Sequence, residues 1–338
     1  MTCSQNPLYP VTIEAPTPSS AINSFTPIPG QRFFVSDNPE PLTPQTFTTP
    51  IITLWNDTVP NLTSVRYRVF MWHHNATANT IKYGLTLGNA GSSPLTVSEF
   101  KFETAETIQD ILSNAGYCLS KALLGQTLNS TANVTVSPGA VQVLKEFTIA
   151  PKAVRGTVLE FTVSSSTPMS AKLRSVAAQS ISAALNTHQG AAVPQGAKDH
   201  PRGTWNYADV QGADATVTIG SGGISNSFTI LNSANPVFSG TLPNTASFAG
   251  IYKFNLTIVN ASGSSQTKHL YFNPRGGLFV GAVKVGSNPV NGITKTSDTQ
   301  SVRIGAFTIP NGQSITVPIQ ITTGGGSSTP LAFFAKNA

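Results

Sequence analysis

FNLTIVNASGSSQTKHLYF (residues 254–272) alternates apolar and polar side chains from Phe254 to Ile258, halts at Asn260, crosses a Gly-Ser-Ser turn and enters a second apolar run at Leu270. A period of two puts alternate side chains on opposite faces, so the stretch reads as two β-strands joined by a turn. Asn, Gly and Ser are the residues that tolerate such a turn.

The same order of features stands earlier in the chain. YGLTLGNAGSSPLTV (83–97) also runs strand, Asn-Ala, Gly-Ser-Ser, strand, and FTIAP (147–151) parallels FTIPNG (307–312) further on. A repeated pattern in conserved order predicts a duplicated unit.

Outward from these stretches the pattern persists. IITLW (51–55), SVRYRVFMW (64–72), IKYGLTLGN (81–89) and LTVSEFKFE (95–103) precede it, and LFVGAVKV (278–285) and QSITVPIQIT (313–322) follow. Each is short, rich in β-branched or aromatic residues, and bounded by Gly, Pro or Asn. In Val65–Phe70 the alternation places Arg66 and Arg68 on one face.

The fold class expected is therefore all-β: two tandem antiparallel β-sandwich domains, Ig-like or jelly-roll-like, with one helix in the first. Ten prolines before residue 51 predict an extended Pro-rich arm over 1–50, because proline fixes φ and lacks an amide hydrogen. The first sandwich is expected over 51–180, with a helix at 104–125 where Ile108, Ile111, Leu112, Leu119, Leu123 and Leu124 form a helical stripe interrupted by a glycine. Residues 181–203 turn small, polar and aperiodic and read as a linker; 204–338 form the second sandwich.

Composition narrows the function. Charged residues make up 10% of the 338, well under half of the usual share, while Ser and Thr reach roughly a fifth. The net charge of +6 reflects scarce carboxylates, 14 against 20 Lys and Arg, and the basic residues are scattered. With no basic stripe, nucleic acid is not an expected partner. A neutral, hydroxyl-rich surface suits an extracellular or cell-surface protein that packs against copies of itself. No stretch approaches the 18 apolar residues of a transmembrane helix. The opening MTCSQNPLYPV (1–11) lacks the basic start and apolar run of a secretory signal, so export by another route or a mature start at Met1 is expected. Cys3 and Cys118 are too few for a disulfide framework, and pairing between them stands beside two unpaired thiols.

Candidate chemistry is sparse. His73 and His74, adjacent on a strand, face opposite ways, so no metal site is expected there. HPRGTWNYADV (200–210) brings together His200, Arg202, Trp205, Tyr207 and Asp209, the densest acid–base–arginine group in the chain. Its functional reading is a small polar pocket for an anion or sugar. Its structural reading has Arg202 bonding backbone carbonyls or Asp209 while Trp205 and Tyr207 pack under the linker. Arg275, in the second Pro-Arg-Gly (274–276), sits in a glycine-rich stretch that lacks the Gly-Lys-Ser/Thr of a phosphate loop and reads as a hairpin turn. Seven Asn-x-Ser/Thr sequons, among them Asn75 and Asn260, decide nothing about glycosylation in a chain so rich in Ser and Thr.

DHPRGTWNYADV together with the 254–285 stretch, which holds NPRGG, resembles the C-terminal β-domain of secreted bacterial proteins often named for an attached copper-amine-oxidase-type N-terminal module. The resemblance covers residues 199–285 and implies a secreted β-domain; it implies no catalytic residues, and the copper-bearing module has no counterpart here.

The expectation is a non-enzymatic structural protein with no cofactor, self-assembling into a fibre or layer as a homo-oligomer through its arm or strand edges. A module binding carbohydrate or cell-wall polysaccharide through exposed aromatics among Trp72, Trp205, Tyr207 and Tyr252 is the first alternative. A virus capsid or spike protein is the second.

Overall fold

A computed structural model describes residues 7–108, 112–197 and 200–338. The N-terminal segment gives β1 (Pro18–Ala21) and β2 (Phe25–Ser36). β3 (Ile51–Val59), β4 (Ser64–His74), β5 (Ile81–Asn89) and β6 (Leu95–Ile108) follow, then helix α1 (Leu112–Gly125). The short β7 (Asn129–Ser130) and β8 (Val134–Val136) lead into β9 (Val141–Ile149), β10 (Ala153–Ser164) and β11 (Ala171–Ala178). The second half holds β12 (Arg202–Gly212), β13 (Ala215–Ile219), β14 (Ser227–Ile230), β15 (Ile251–Asn260) and β16 (Gln266–Asn273). β17 (Phe279–Val285), β18 (Asn291–Thr296), β19 (Val302–Ile309), β20 (Ser314–Thr323) and β21 (Leu331–Asn337) complete it.

The protein is an all-β sandwich built from three open sheets. One sheet of twelve strands runs β18-β17-β20-β15-β12-β2-β4-β10-β6-β7, with β13 beside β15 and β8 beside β6. A four-stranded sheet, β3-β11-β5-β9, covers its first-half end, and a five-stranded sheet, β1-β14-β21-β16-β19, belongs to the second half. Each pairing of sheets encloses an apolar core, one around Tyr67, Tyr83, Phe100 and Phe161 and one around Phe228, Phe254, Phe272 and Phe333.

The two halves meet at β2. This strand pairs parallel with β4 from Arg32 to Ser36 and antiparallel with β12 from Phe25 to Ser36. Phe33 and Val35 enter the second core while Phe34 enters the first, so QRFFVS is apolar on both faces because both faces are covered. Pro27 and Pro29 lie where β2 has β12 alone as neighbour, so the missing amide hydrogens break no second ladder. The Pro-rich segment is thus extended, but it is not an arm lying apart from the packed halves: its strand is the central element of the largest sheet.

The helix also departs from expectation. Residues 104–108 are the end of β6, paired with β10 from Ala153 to Thr157, with Glu106 bound to Arg155 at 2.8 Å. Alternating Thr, Ala and Glu beside β10 makes ladder bonds that a helix start would forfeit, and Ile108 points to solvent. Ile111 lies outside the described residues. Leu119, Leu123 and Leu124 pack into the second-half core, not the first. Gly116, the glycine that interrupts the stripe, is where the helix touches the other half: a Cβ built on Gly324 falls 2.6 Å from Gly116 backbone. Trp72 and Phe70 of β4 join the same core, which is why β4 reads as a continuous apolar run.

The repeated Asn-Ala motif is a corner used three times. Asn89, at the end of β5, donates from Nδ2 to the carbonyls of Ser93 and Val136 and accepts from Gly91 N–H. Asn260, at the end of β15, donates to Ser264 and Ile309 and accepts from Ser262 N–H. Asn75 does the same with Asn79, Ile149 and Thr77. In each corner the opposing turn donates one amide to the asparagine carbonyl from a residue at positive φ: Gly139, Gly312 and Lys152. FTIAP and FTIPNG are thus both corner turns, but the first serves Asn75 rather than Asn89. The sequons at Asn75 and Asn260 are buried by these bonds.

Candidate functional site

Strand β12 carries the densest polar group of the sequence, and pairing with β2 on one side and β15 on the other fixes where each side chain goes. His200, Arg202 and Asp209 do not converge. Arg202 is buried and donates from Nη1 to the carbonyls of Leu54 and Val193, both at 3.0 Å, with its guanidinium 5.0 Å from the Trp55 ring centroid. Asp209 faces the other half of the sheet, where it meets Arg68 at 2.6 Å and Lys253 at 2.9 Å. Arg68 in turn meets Glu160 at 2.9 Å, so charges alternate from β10 through β4 and β12 to β15. Burial alone would raise the Asp209 carboxyl, but attraction from Arg68 and Lys253 outweighs it and holds the group below its ordinary value.

Trp205 and Tyr207 lean over the second half. Trp205 Nε1 donates to Ser239 O and the Tyr207 hydroxyl to Val237 O, and both rings pack on Phe238. Trp72 and Tyr252, grouped with them as exposed aromatics from the sequence, are buried at 3% and 2% exposure, because β4 and β15 lie inside the shared sheet. Trp55 is the aromatic that sequence reading missed. With Trp205, Arg202, Thr204, Ser239 and Thr241 it lines a groove of about 220 Å³ at the junction of the halves.

Arg275 reaches back to the N-terminal segment, donating from Nη2 to Ala15 O at 2.6 Å and Pro16 O at 2.5 Å. Its turn joins β16 and β17, which belong to different sheets, so Pro-Arg-Gly-Gly crosses between layers rather than closing a hairpin. A Cβ on Gly276 would fall 2.0 Å from Thr329 O, which leaves only glycine room there.

His200 has different neighbours. Its Nδ1 lies 3.2 Å from Glu40 Oε2 and 3.6 Å from Asp37 Oδ1. Asp37 and Glu40 sit in SDNPEP (36–41), just past β2, where Asn38 binds the carbonyls of Ala197 and His200 and the amide of Gly196. Pairing with Asp37 and then Glu40 raises His200 to about 10, while burial and then Glu40 push the Asp37 carboxyl well above its usual range. His73 is fully buried close by, and burial lowers it to about 4. Two acids between prolines in a chain with 14 carboxylates was the available signal; nothing in sequence spacing ties them to His200.

A cleft of about 970 Å³ lies between α1 and the second half, lined by Lys121, Lys253 and Lys284 with Glu103 and Cys118. Cys118 is disulfide-bonded; Cys3 lies outside the described residues, as does Asp199.

No protein-family model matches the chain, and no curated protein does. Among solved structures it is similar to Lac15 from a marine microbial metagenome, at 11% identity over 94% of this chain and 66% of that one, with a TM-score of 0.13. It is similar to the CUB1-EGF-CUB2 region of human MASP-1/3 at 12% identity, covering 86% and 100%, with a TM-score of 0.19. The CBM22-1-CBM22-2 tandem of Paenibacillus barcinonensis Xyn10C gives 9%, 84%, 78% and 0.16. Likeness at this level carries no argument about what the chain does. Among the described residues no helix is long and apolar enough to cross a membrane.

Proposed function

We propose that this is a non-enzymatic extracellular structural protein that assembles with copies of itself through an open strand edge. The observation that carries the reading is β19. It closes the five-stranded sheet, pairs with β16 alone among the described strands, and from Ile304 to Ile309 holds no charge and no proline. Such an edge offers unpaired backbone groups to another chain, and proteins that remain monomeric block it with charge or proline. The corresponding edge β9 carries Lys145 and Glu146 in mid-strand, whereas the one charge of β19, Arg303, stands at its start. Because β2 is paired within its own chain on both sides from Arg32 to Ser36 and carries prolines where it has one neighbour, the edge rather than the arm is the assembling element. The low charge and the resemblance to secreted β-domains agree with an extracellular setting.

Negative-stain microscopy and sedimentation velocity across a concentration series test this. Filaments or layers that disappear in Ala306→Lys support it, closed particles favour a shell protein, and a monomer at every concentration removes it.

The Trp55–Trp205 groove favours a second reading, a carbohydrate-binding surface, since two tryptophans beside hydroxyl and amide groups suit stacking on sugar rings. Retention on insoluble cell-wall polysaccharide that is lost in both Trp55→Ala and Trp205→Ala supports it; retention equal to the parent protein's in both variants excludes the groove.

A further inference from the structure

We propose that Asp37, Glu40 and His200 form a binding site for a divalent cation of the zinc type, which clamps the exit of β2 to the segment entering β12. One carboxylate oxygen from each acid and one imidazole nitrogen lie within 4.8 Å of one another. Zinc bonds of 2.0–2.1 Å at tetrahedral angles place ligand atoms about 3.3 Å apart. The nitrogen stands 3.2 and 3.6 Å from the two oxygens, close to that spacing, and the three donor atoms together fall within 4.8 Å.

The second observation is the state of the oxygens. Asp37 is 2% exposed, and Asp37 Oδ1 and Glu40 Oε2, the two atoms that face His200 Nδ1, make no hydrogen bond of good geometry. Buried carboxyl oxygens are rarely left without a partner, and a cation satisfies both at once. Ligation requires the imidazole neutral and both acids ionised, so binding releases protons, and the three groups then supply the two negative charges that balance a divalent ion. The nitrogen donor selects against calcium and magnesium, which prefer all-oxygen shells. His200 retains 31% exposure of its side chain, so the site lies near the surface rather than deep in either core.

The frame around the donors is rigid. Asn38 is fully buried and ties the loop to Gly196, Ala197 and His200 through three hydrogen bonds, and Asp37 N–H donates to Pro201 O. Leu42 N–H and O bond the backbone of His74 and Ala76 past the end of β4. A cation here would therefore fasten β2, β4 and β12 together at the line where the halves meet, adding a binding free energy to the folded state alone.

The test uses the full chain, stripped with a chelator and dialysed. Titration calorimetry with zinc chloride is expected to give one ion per chain. A hundredfold excess over Kd is expected to raise Tm by about 4 °C. Glu40→Gln and His200→Gln are each expected to weaken binding by more than the roughly 10–100-fold typical of losing an outer-sphere partner. Because the parent protein is titrated first, the result does not depend on the variants folding. Absence of stoichiometric zinc in the parent protein overturns the proposal, as does unchanged affinity in a folded His200→Gln. Calcium binding as tight as zinc overturns the choice of ion class.

Discussion

Asn260 donates from Nδ2 to the carbonyl of Ile309 at 2.7 Å, and this bond ties the end of β15 in the twelve-stranded sheet to the end of β19 in the five-stranded one. With the bond to Ser264 O and acceptance from the Ser262 backbone and hydroxyl, a single buried side chain closes the end of the second sandwich.

Asn260→Ala removes four hydrogen bonds around a fully buried group and leaves backbone partners unsatisfied. At about 1 kcal/mol each in net terms, a loss of about 2–4 kcal/mol is expected in urea unfolding. Asn75→Ala, with four matching bonds, is expected to lose a similar amount, and Asn89→Ala, with three, somewhat less. A loss below about 0.5 kcal/mol, the range of ordinary surface substitutions, at all three sites would mean the corner is ornamental.

Asp209→Asn leaves Arg68 buried with Glu160 as its remaining acidic partner. The expected cost is about 2–3 kcal/mol, below that of a fully orphaned buried charge. The parent protein also carries a pH signature. Because the folded carboxyl titrates below its ordinary value of 3.8, its contribution is fully present above that value and disappears as pH falls through the folded one. Stability measured from pH 5 downward is expected to fall less steeply in Asp209→Asn than in the parent protein; parallel slopes would contradict the pairing.

Arg275→Ala removes the arginine bond to the Ala15 carbonyl and leaves the Pro16 carbonyl with Ser227 Oγ, in a segment also held at Ile13 by Ser301. Limited proteolysis is expected to cut between Tyr9 and Thr17 sooner than in the parent protein, with the rest of the chain intact. Equal cleavage rates would show that the arginine does not anchor the segment.

The sequence showed what local pattern determines. Alternation marked the strands, and Asn-Ala followed by small residues marked two of the three corners; Asn75 escaped because Ala-Thr-Ala-Asn does not look like a turn beside Gly-Ser-Ser. Arg202 has the carbonyl partners weighed for it. What stayed hidden depends on neighbours that local pattern does not name. Phe33 and Phe34 look like a short apolar patch in a Pro-rich arm until β4 and β12 flank them. Leu119, Leu123 and Leu124 specify a buried helical face without saying which half receives it. Asp37, Glu40 and His200 meet only because β2 crosses to β12, and Asp209 finds Arg68 through the same crossing.

Amide hydrogen exchange on β19, followed from dilute to concentrated protein, tests the assembly claim most directly. If copies join through this edge, amides between Ile304 and Ile309 become protected as concentration rises while those of edge β9 do not change. Exchange in β19 that stays fast and independent of concentration would contradict the account.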